Sequence, residues 1–110
     1  MAQQTLDTFQ AIADPSRRQI LRMLSKKTCT INAIAENFDM SRPAVSKHIK
    51  VLETTGFIAV VNKGRERHCQ LSQEGFDDLR KWIDYFDQFW ESKMKRLGDL
   101  LDAKKARKKN

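Results

Sequence analysis

The residues of this chain whose types and spacing could do chemistry are lysines and arginines in its middle. Between residues 41 and 67, six basic side chains stand against only two acidic ones, Glu53 and Glu66. The six are Arg42, Lys47, Lys50, Lys63, Arg65 and Arg67. Ammonium and guanidinium groups bind phosphate through charge and hydrogen bonds, so this run favours a polyanionic partner, usually nucleic acid.

The composition of the whole chain supports the same kind of partner. The 110 residues contain 21 Lys and Arg against 14 Asp and Glu, a net charge of +7. This length suits one small domain, and 40% apolar residues suit a compact protein with a real core. No run of apolar residues is long enough to cross a membrane, and the N-terminal residues lack the pattern of a secretory signal. We therefore expect a protein that works in a reducing cytoplasm without a membrane partner.

Catalysis is the function class that the sequence argues against. It contains no Ser/His/Asp set, no glycine-rich phosphate loop and no cluster of metal ligands, so we expect no enzyme and no cofactor. The two cysteines, Cys29 and Cys69, leave two interpretations open. They are either small buried apolar residues or a redox pair, and a disulfide would need their Cα atoms within about 7 Å.

Hydrophobic spacing and capping residues predict four helices in the first half of the chain. The first covers residues 4–13, and the second follows the cap and turn of Asp14-Pro15 and runs to about Ser25. Thr30 is expected to cap a third helix. Ser41 is expected to cap a fourth, over residues 41–54, which should stop at Gly56.

The second half of the chain predicts a β-hairpin and then one long helix. Residues 57–71 contain two segments that are expected to be strands, on either side of a turn at residues 62–66. Residues 72–102 carry apolar side chains at steps of three or four. The basic residues 104–110 lack an apolar pattern, and we expect them to be disordered. The predicted fold class is mostly α with a small β-hairpin: one winged helix-turn-helix domain over residues 1–103.

The fourth helix has the amphipathic pattern of a DNA recognition helix. Val45, Ile49 and Leu52 fall on one side, at roughly 100° per residue. The opposite side holds small residues and the lysines Lys47 and Lys50. An α-helix fits the major groove, so the apolar side should face the core while the lysine side faces DNA.

These segments resemble the ArsR type of bacterial repressor. The residues that carry the resemblance are Asp14-Pro15-Ser16-Arg17-Arg18, the stretch from Ser41-Arg42-Pro43 to Leu52, Gly56-Phe57-Ile58 and Gly64-Arg65. The resemblance implies a homodimer that binds double-stranded operator DNA and is usually released by an effector. The DNA-binding residues that it implies are Ser41, Arg42, Ala44, Ser46, Lys47, His48, Lys50, Lys63, Arg65 and Arg67.

One departure from that family argues against metal sensing. Metal-sensing members carry a Cys-x-Cys pair at the start of the third helix, where this chain has Thr30 and Asn32. Residues 72–102 also contain no histidine, which other members use as a ligand there. We therefore expect no metal site, and an unidentified small molecule or a redox signal stays open as the effector.

The long last helix is expected to form the dimer interface. Its apolar stripe is larger than a small one-sided core needs, although it could instead line an effector pocket. The first helix should add a second interface element. The predicted dimerisation residues are Phe9, Leu79, Ile83, Phe86, Trp90, Met94 and Leu97. A non-specific architectural DNA-binding protein is the alternative function that the sequence leaves open.

Overall fold

The computed structural model describes the backbone of residues 6–108 and the side-chain surroundings of residues 6–103. The described residues form helices and one small sheet, in agreement with the predicted mostly helical fold class. In chain order the elements are α1 (Thr8–Ile12), α2 (Pro15–Lys26), β1 (Cys29–Thr30), α3 (Ile31–Glu36), α4 (Arg42–Thr54), β2 (Ile58–Lys63), β3 (Glu66–Leu71) and α5 (Gln73–Lys108). No described helix has the length and apolar character needed to cross a membrane.

Capping side chains decide where the first two helices begin. The Asp7 carboxylate accepts a hydrogen bond from the Gln10 N–H at 2.7 Å, and the Gln10 side chain accepts one from the Asp7 N–H. This capping box starts α1 at Thr8, later than the predicted residue 4, because Asp7 itself is extended. Residues 4 and 5 lie outside the described part of the chain. Asp14 caps α2 directly before Pro15, as predicted.

The two helices of the helix-turn-helix begin where the sequence predicts. The Thr30 hydroxyl accepts a hydrogen bond from the Ala33 N–H at 3.1 Å, and the Ser41 hydroxyl accepts one from the Ala44 N–H at 3.3 Å. Each bond satisfies an N–H group that the first turn leaves unpaired. The range of α4 therefore agrees with the predicted recognition helix.

The hairpin belongs to a three-stranded antiparallel sheet in the order β1-β3-β2. Its turn is two residues, Gly64 and Arg65, rather than the predicted five, and Gly64 has the positive φ of 63° that such a tight turn favours. The sequence analysis missed β1. This strand is only two residues long, and it pairs with β3 so that Cys29 faces Cys69.

The core lies between the helices and the sheet, and Phe57 is its largest fully buried side chain. The start of α5 fits closely against it: a Cβ on Gly75 would lie 2.8 Å from the Phe57 ring, and Phe76 packs edge-on against that ring at 5.0 Å. Leu79 also packs against this core. The first turns of α5 therefore cover the core of their own chain, and Leu79, which the sequence analysis predicted for the dimer interface, contributes to that cover.

The chain divides into two compact units, Met1–Leu79 and Arg80–Asn110, where the sequence analysis expected one domain over residues 1–103. Helix α5 continues to Lys108 and so enters the segment of residues 104–110 for which the sequence analysis expected disorder. Lysine, alanine and arginine are all good helix formers, and no glycine or proline interrupts them there. Residues 109 and 110 lie outside the described part of the chain.

Candidate nucleic-acid interface

Helix α4 buries one face and leaves the other in solvent. Val45, Ile49 and Leu52 are all buried in the core of the first unit. The predicted DNA-binding residues Ser41, Arg42, Lys47 and Lys50 are exposed, whereas Ala44 and Ser46 are half-buried at the edges. The structure therefore brings the basic side chains of α4 together on one open surface.

The basic side chains of α4 differ in how free their charges are. The Lys50 ammonium lies 3.6 Å from the Glu53 carboxylate, one turn further along the helix. The side chains of Lys47 and Arg42 make no ion pair or hydrogen bond within the described residues. A DNA phosphate would meet an uncompensated charge at these two positions and a partly compensated one at Lys50.

His48 is half-buried and has a partner inside the protein. Its Nδ1 lies 3.2 Å from Nη1 of Arg17 in α2. A guanidinium group can only donate, so Nδ1 must accept and carry no proton in this contact. The sequence analysis placed His48 among the DNA-binding residues, but this edge of the ring is used to join α2 to α4.

The Arg17 side chain contacts three helices, and the sequence analysis did not single it out as functional. Its Nε donates to the carbonyl of Ala11 at 2.5 Å, and its Nη2 donates to the carbonyl of Gln10 at 3.1 Å. The same guanidinium lies 3.9 Å from Asp14. It therefore connects the end of α1, the start of α2 and the middle of α4. The signal for this role was present in the Asp-Pro-Ser-Arg-Arg segment.

Asp14 completes this junction as a charged cap. Burial raises its pKa, but hydrogen bonds from the Arg17 and Ser16 N–H groups, with the charge of Arg17, outweigh that effect. The net result is a pKa below the usual value of 3.8. The carboxylate is thus stabilised in its ionised form where it caps α2.

The hairpin of β2 and β3, which is the wing of the predicted winged helix-turn-helix, presents three more basic residues to solvent. Lys63, Arg65 and Arg67 are all exposed around the two-residue turn. Neither arginine side chain makes a hydrogen bond or ion pair within the described residues. Glu66, the first residue of β3, has its carboxylate 4.0 Å from Nε2 of His68.

A cleft joins the wing to the start of α4. Its volume is about 150 Å³, and its lining residues are Thr30, Ile31, Asn32, Arg42, Arg65, Glu66 and Arg67. Three guanidinium groups and one carboxylate give this lining a formal charge of +2. Guanidinium groups suit phosphate oxygens in charge and geometry, so the arrangement can hold a phosphate group.

The apolar residues of the second unit lie on the surface. Ile83, Phe86, Trp90, Met94 and Leu97, all predicted for dimerisation, are exposed in the single chain. Trp90 keeps 57% of its surface accessible and Phe86 37%. Phe9 of α1, the remaining residue of that prediction, is also exposed. Exposed apolar surface of this kind is typical of an interaction site.

Comparison with known proteins identifies the family. The profile of the family described as "Bacterial regulatory protein, arsR family" matches residues 14–60, which include α2, α3 and α4. The HTH-type transcriptional regulator Rv2034 of Mycobacterium tuberculosis is 34% identical over 95 residues, which are 86% of this chain and 86% of that protein. The chain belongs to the ArsR family. As a member, it is a DNA-binding transcriptional regulator and not an enzyme.

Other ArsR-type proteins are similar to this chain in sequence or in fold. The transcriptional repressor SdpR of Bacillus subtilis is 34% identical over 77 residues, covering 70% of this chain and 86% of its own. The ArsR-family regulator RHA00566, known from a crystal structure, has 40% sequence identity to this chain. The match covers 77% of this chain and 88% of RHA00566, with a TM-score of 0.71. The homodimeric winged helix-turn-helix domain Mb0332 of Mycobacterium bovis shares the fold at 21% identity, with a TM-score of 0.59 and coverage of 74% and 75%.

Within the ArsR fold, the positions of the metal-sensing cysteine pair lie in the arginine-lined cleft. Thr30 and Asn32 offer a hydroxyl and an amide there, and neither is a good ligand for a soft metal ion. Among the described residues, no group of three or more His, Cys, Asp and Glu side chains is arranged to hold a metal ion. The charge of this cleft suits an anion.

Proposed function

We propose that this protein is a homodimeric repressor that binds operator DNA and is released from it by an effector. It would act in the cytoplasm, where the DNA lies. One observation carries the proposal: α4 buries Val45, Ile49 and Leu52 and exposes basic residues on its other face. A helix held in this way by its own core can enter a major groove without unfolding.

Each subunit would use α4 and the wing together. Residues 41–54 would lie in the major groove, with Ser41 and Arg42 at the helix start near a backbone phosphate. Lys47 and Lys50 would meet phosphates or base edges. The wing would reach the neighbouring backbone or minor groove through Lys63, Arg65 and Arg67. The cleft between these two elements would receive one phosphate of the same strand.

A second copy of the chain is the proposed partner of the exposed apolar stripe. Burial of Ile83, Phe86 and Trp90 against the same residues of another subunit would remove them from water. The homodimeric state of the Mb0332 domain supports this arrangement by analogy of fold. A two-fold axis between subunits requires an operator of matching symmetry. Its half-sites should be about 10–10.5 base pairs apart, or a multiple of that distance.

The proposal also includes repression of transcription and release of the protein from DNA by an effector. The name of SdpR, a transcriptional repressor, supports repression as the outcome of binding. A dimer seated on a promoter would block access of the polymerase. The effector would be an unidentified small molecule or a redox signal. A metal ion is disfavoured because Thr30 and Asn32 occupy the positions of the cysteine pair.

Selection from a random library of double-stranded DNA tests this function without knowledge of the natural operator. The purified protein should enrich a roughly palindromic duplex. It should bind that duplex at least about a thousandfold more tightly than a scrambled one at physiological salt. In a reporter strain, the duplex placed over a promoter should reduce transcription when the protein is expressed. Enrichment of no sequence, with equal affinity for all DNA, would instead favour the non-specific architectural protein.

A further inference from the structure

The two cysteines lie directly opposite each other on neighbouring strands. Cys29 of β1 is the register partner of Cys69 of β3. Residues opposite each other in an antiparallel pair have Cα atoms about 4.5–5.5 Å apart and point to the same face. A disulfide needs a Cα separation of about 4.4–6.8 Å. The register therefore provides the proximity that the sequence alone could not establish.

The two thiols have different access to solvent. Cys69 is 0% exposed, and burial raises the pKa of its thiol to about 11. Cys29 keeps 8% of its surface exposed, and its Sγ lies 3.5 Å from the carbonyl oxygen of Lys27. Both are free cysteines. A small oxidant would therefore reach Cys29 first. Cys69 would then be the second thiol, which reacts with the oxidised Cys29.

We propose that Cys29 and Cys69 form a redox pair that a peroxide converts into an intramolecular disulfide. In the first step the Cys29 sulfur attacks hydrogen peroxide, the O–O bond breaks, and a sulfenic acid and one water result. In the second step the Cys69 sulfur attacks that sulfenic sulfur and the S–S bond forms. The sulfenic oxygen leaves as a second water with the Cys69 proton. The two sulfurs lose two electrons, which the peroxide gains.

This disulfide would affect the DNA-binding surface through β1 and β3, the two strands that it joins. Thr30, next to Cys29, caps α3. Arg67, two residues before Cys69 in β3, lies on the same face of the strand and lines the arginine cleft. The bond would bring the two Cβ atoms from about 4.5–5.5 Å to about 3.8 Å, moving the base of the wing toward α3. This consequence rests on the proposed DNA-binding function, whereas formation of the disulfide does not.

Intact-mass spectrometry of the full-length protein tests the bond itself. After hydrogen peroxide is added to the reduced protein, the mass should fall by about 2 Da, and dithiothreitol should restore it. A proteolytic digest should contain a peptide pair linked through Cys29 and Cys69. Cys29→Ala and Cys69→Ala, each tested alone, should abolish the loss. An unchanged mass, a gain of oxygen only, or a covalent dimer would overturn the proposal.

The affinity for the selected duplex tests the regulatory effect. Oxidised wild-type protein should bind at least about tenfold more weakly than reduced protein, with full recovery after reduction. Peroxide should leave the affinity of the Cys29→Ala variant unchanged. A disulfide that forms with no change in affinity would overturn the regulatory role. A reduced protein that selects no duplex would contradict the proposed function while leaving the mass result valid.

Discussion

Arg17 of α2 and His48 of α4 are hydrogen-bonded across 31 residues of sequence, with Arg17 Nη1 3.2 Å from His48 Nδ1. His48 belongs to the helix proposed to enter DNA, and Arg17 belongs to the helix behind it. The same guanidinium also donates to two carbonyls of α1. The orientation of α4 is therefore linked to α1 and α2 through one side chain.

The Arg17→Lys variant should lower the free energy of unfolding by about 1–3 kcal/mol. Lysine keeps the charge but cannot reach two carbonyls and the His48 ring at once, so part-buried acceptors lose their donors. Thermal unfolding measures the change. The control is Arg22→Lys on the same helix, where Arg22 is exposed and makes no side-chain hydrogen bond within the described residues. Equal melting temperatures for the two variants would contradict the role of Arg17 in joining the three helices.

The charge of Asp14 should stabilise the protein at neutral pH but not in acid. Its pKa is lowered in the folded state, so its contribution is present above the usual value of 3.8 and is lost as the pH falls through the folded pKa. Asp14→Asn keeps a capping oxygen and removes only the charge. Urea unfolding should find the variant less stable than wild type at pH 7, with the difference disappearing in strong acid. A difference that is independent of pH would show that the charge contributes nothing.

Lys47→Ala should weaken binding to the selected duplex more than Lys50→Ala. Lys47 carries a free charge, whereas Lys50 is paired with Glu53 and already partly neutralised. If the Lys47 ammonium binds a phosphate, its removal should lower the slope of log K against log salt by about 1. Lys81→Ala, an identical charge change in the second unit, is the control. Wild-type affinity and slope in Lys47→Ala would mean that α4 is not the DNA-facing helix.

The wing should contribute through charge, so its contribution should depend on ionic strength. Arg65→Ala should reduce affinity more at about 50 mM salt than at about 300 mM, because screening weakens the contact in wild type. Arg65 follows Gly64 in the exposed turn and has no internal partner within the described residues. Fluorescence anisotropy at the two salt concentrations measures the effect. Equal losses at both would assign Arg65 a structural role.

The sequence predicted α4 well because its boundaries depend on local features. Ser41 caps the helix, and three aliphatic residues at helical spacing define its buried face. The contacts that the sequence could not supply are tertiary. Strand β1 exists only through its pairing with β3, and the Arg17–His48 bond joins residues far apart in the chain. Leu79 shows a third limit, because spacing indicates which face of a helix is apolar but not what covers it.

The last prediction is that Phe86→Ala combined with Trp90→Ala converts the protein to a monomer at micromolar concentration. Both side chains are exposed in the single chain, yet they lie within an apolar stripe of α5. Truncation of an aromatic ring that is buried between subunits costs about 3–5 kcal/mol, and each substitution occurs twice in a symmetric dimer. Sedimentation should detect the loss of the dimer. Affinity for the selected duplex should fall by orders of magnitude, because one subunit binds one half-site only.

The matched control for that prediction is Asp84→Ala combined with Gln88→Ala. This pair has the same spacing on the opposite, polar side of α5, so it should leave both sedimentation and DNA affinity unchanged. Circular dichroism separates dissociation from unfolding, because the core residues around Phe57 belong to the first unit and are untouched by either pair. If the aromatic variant sediments as wild type and binds equally well, the stripe is not the dimer interface. An effector pocket would then be the better interpretation of these residues.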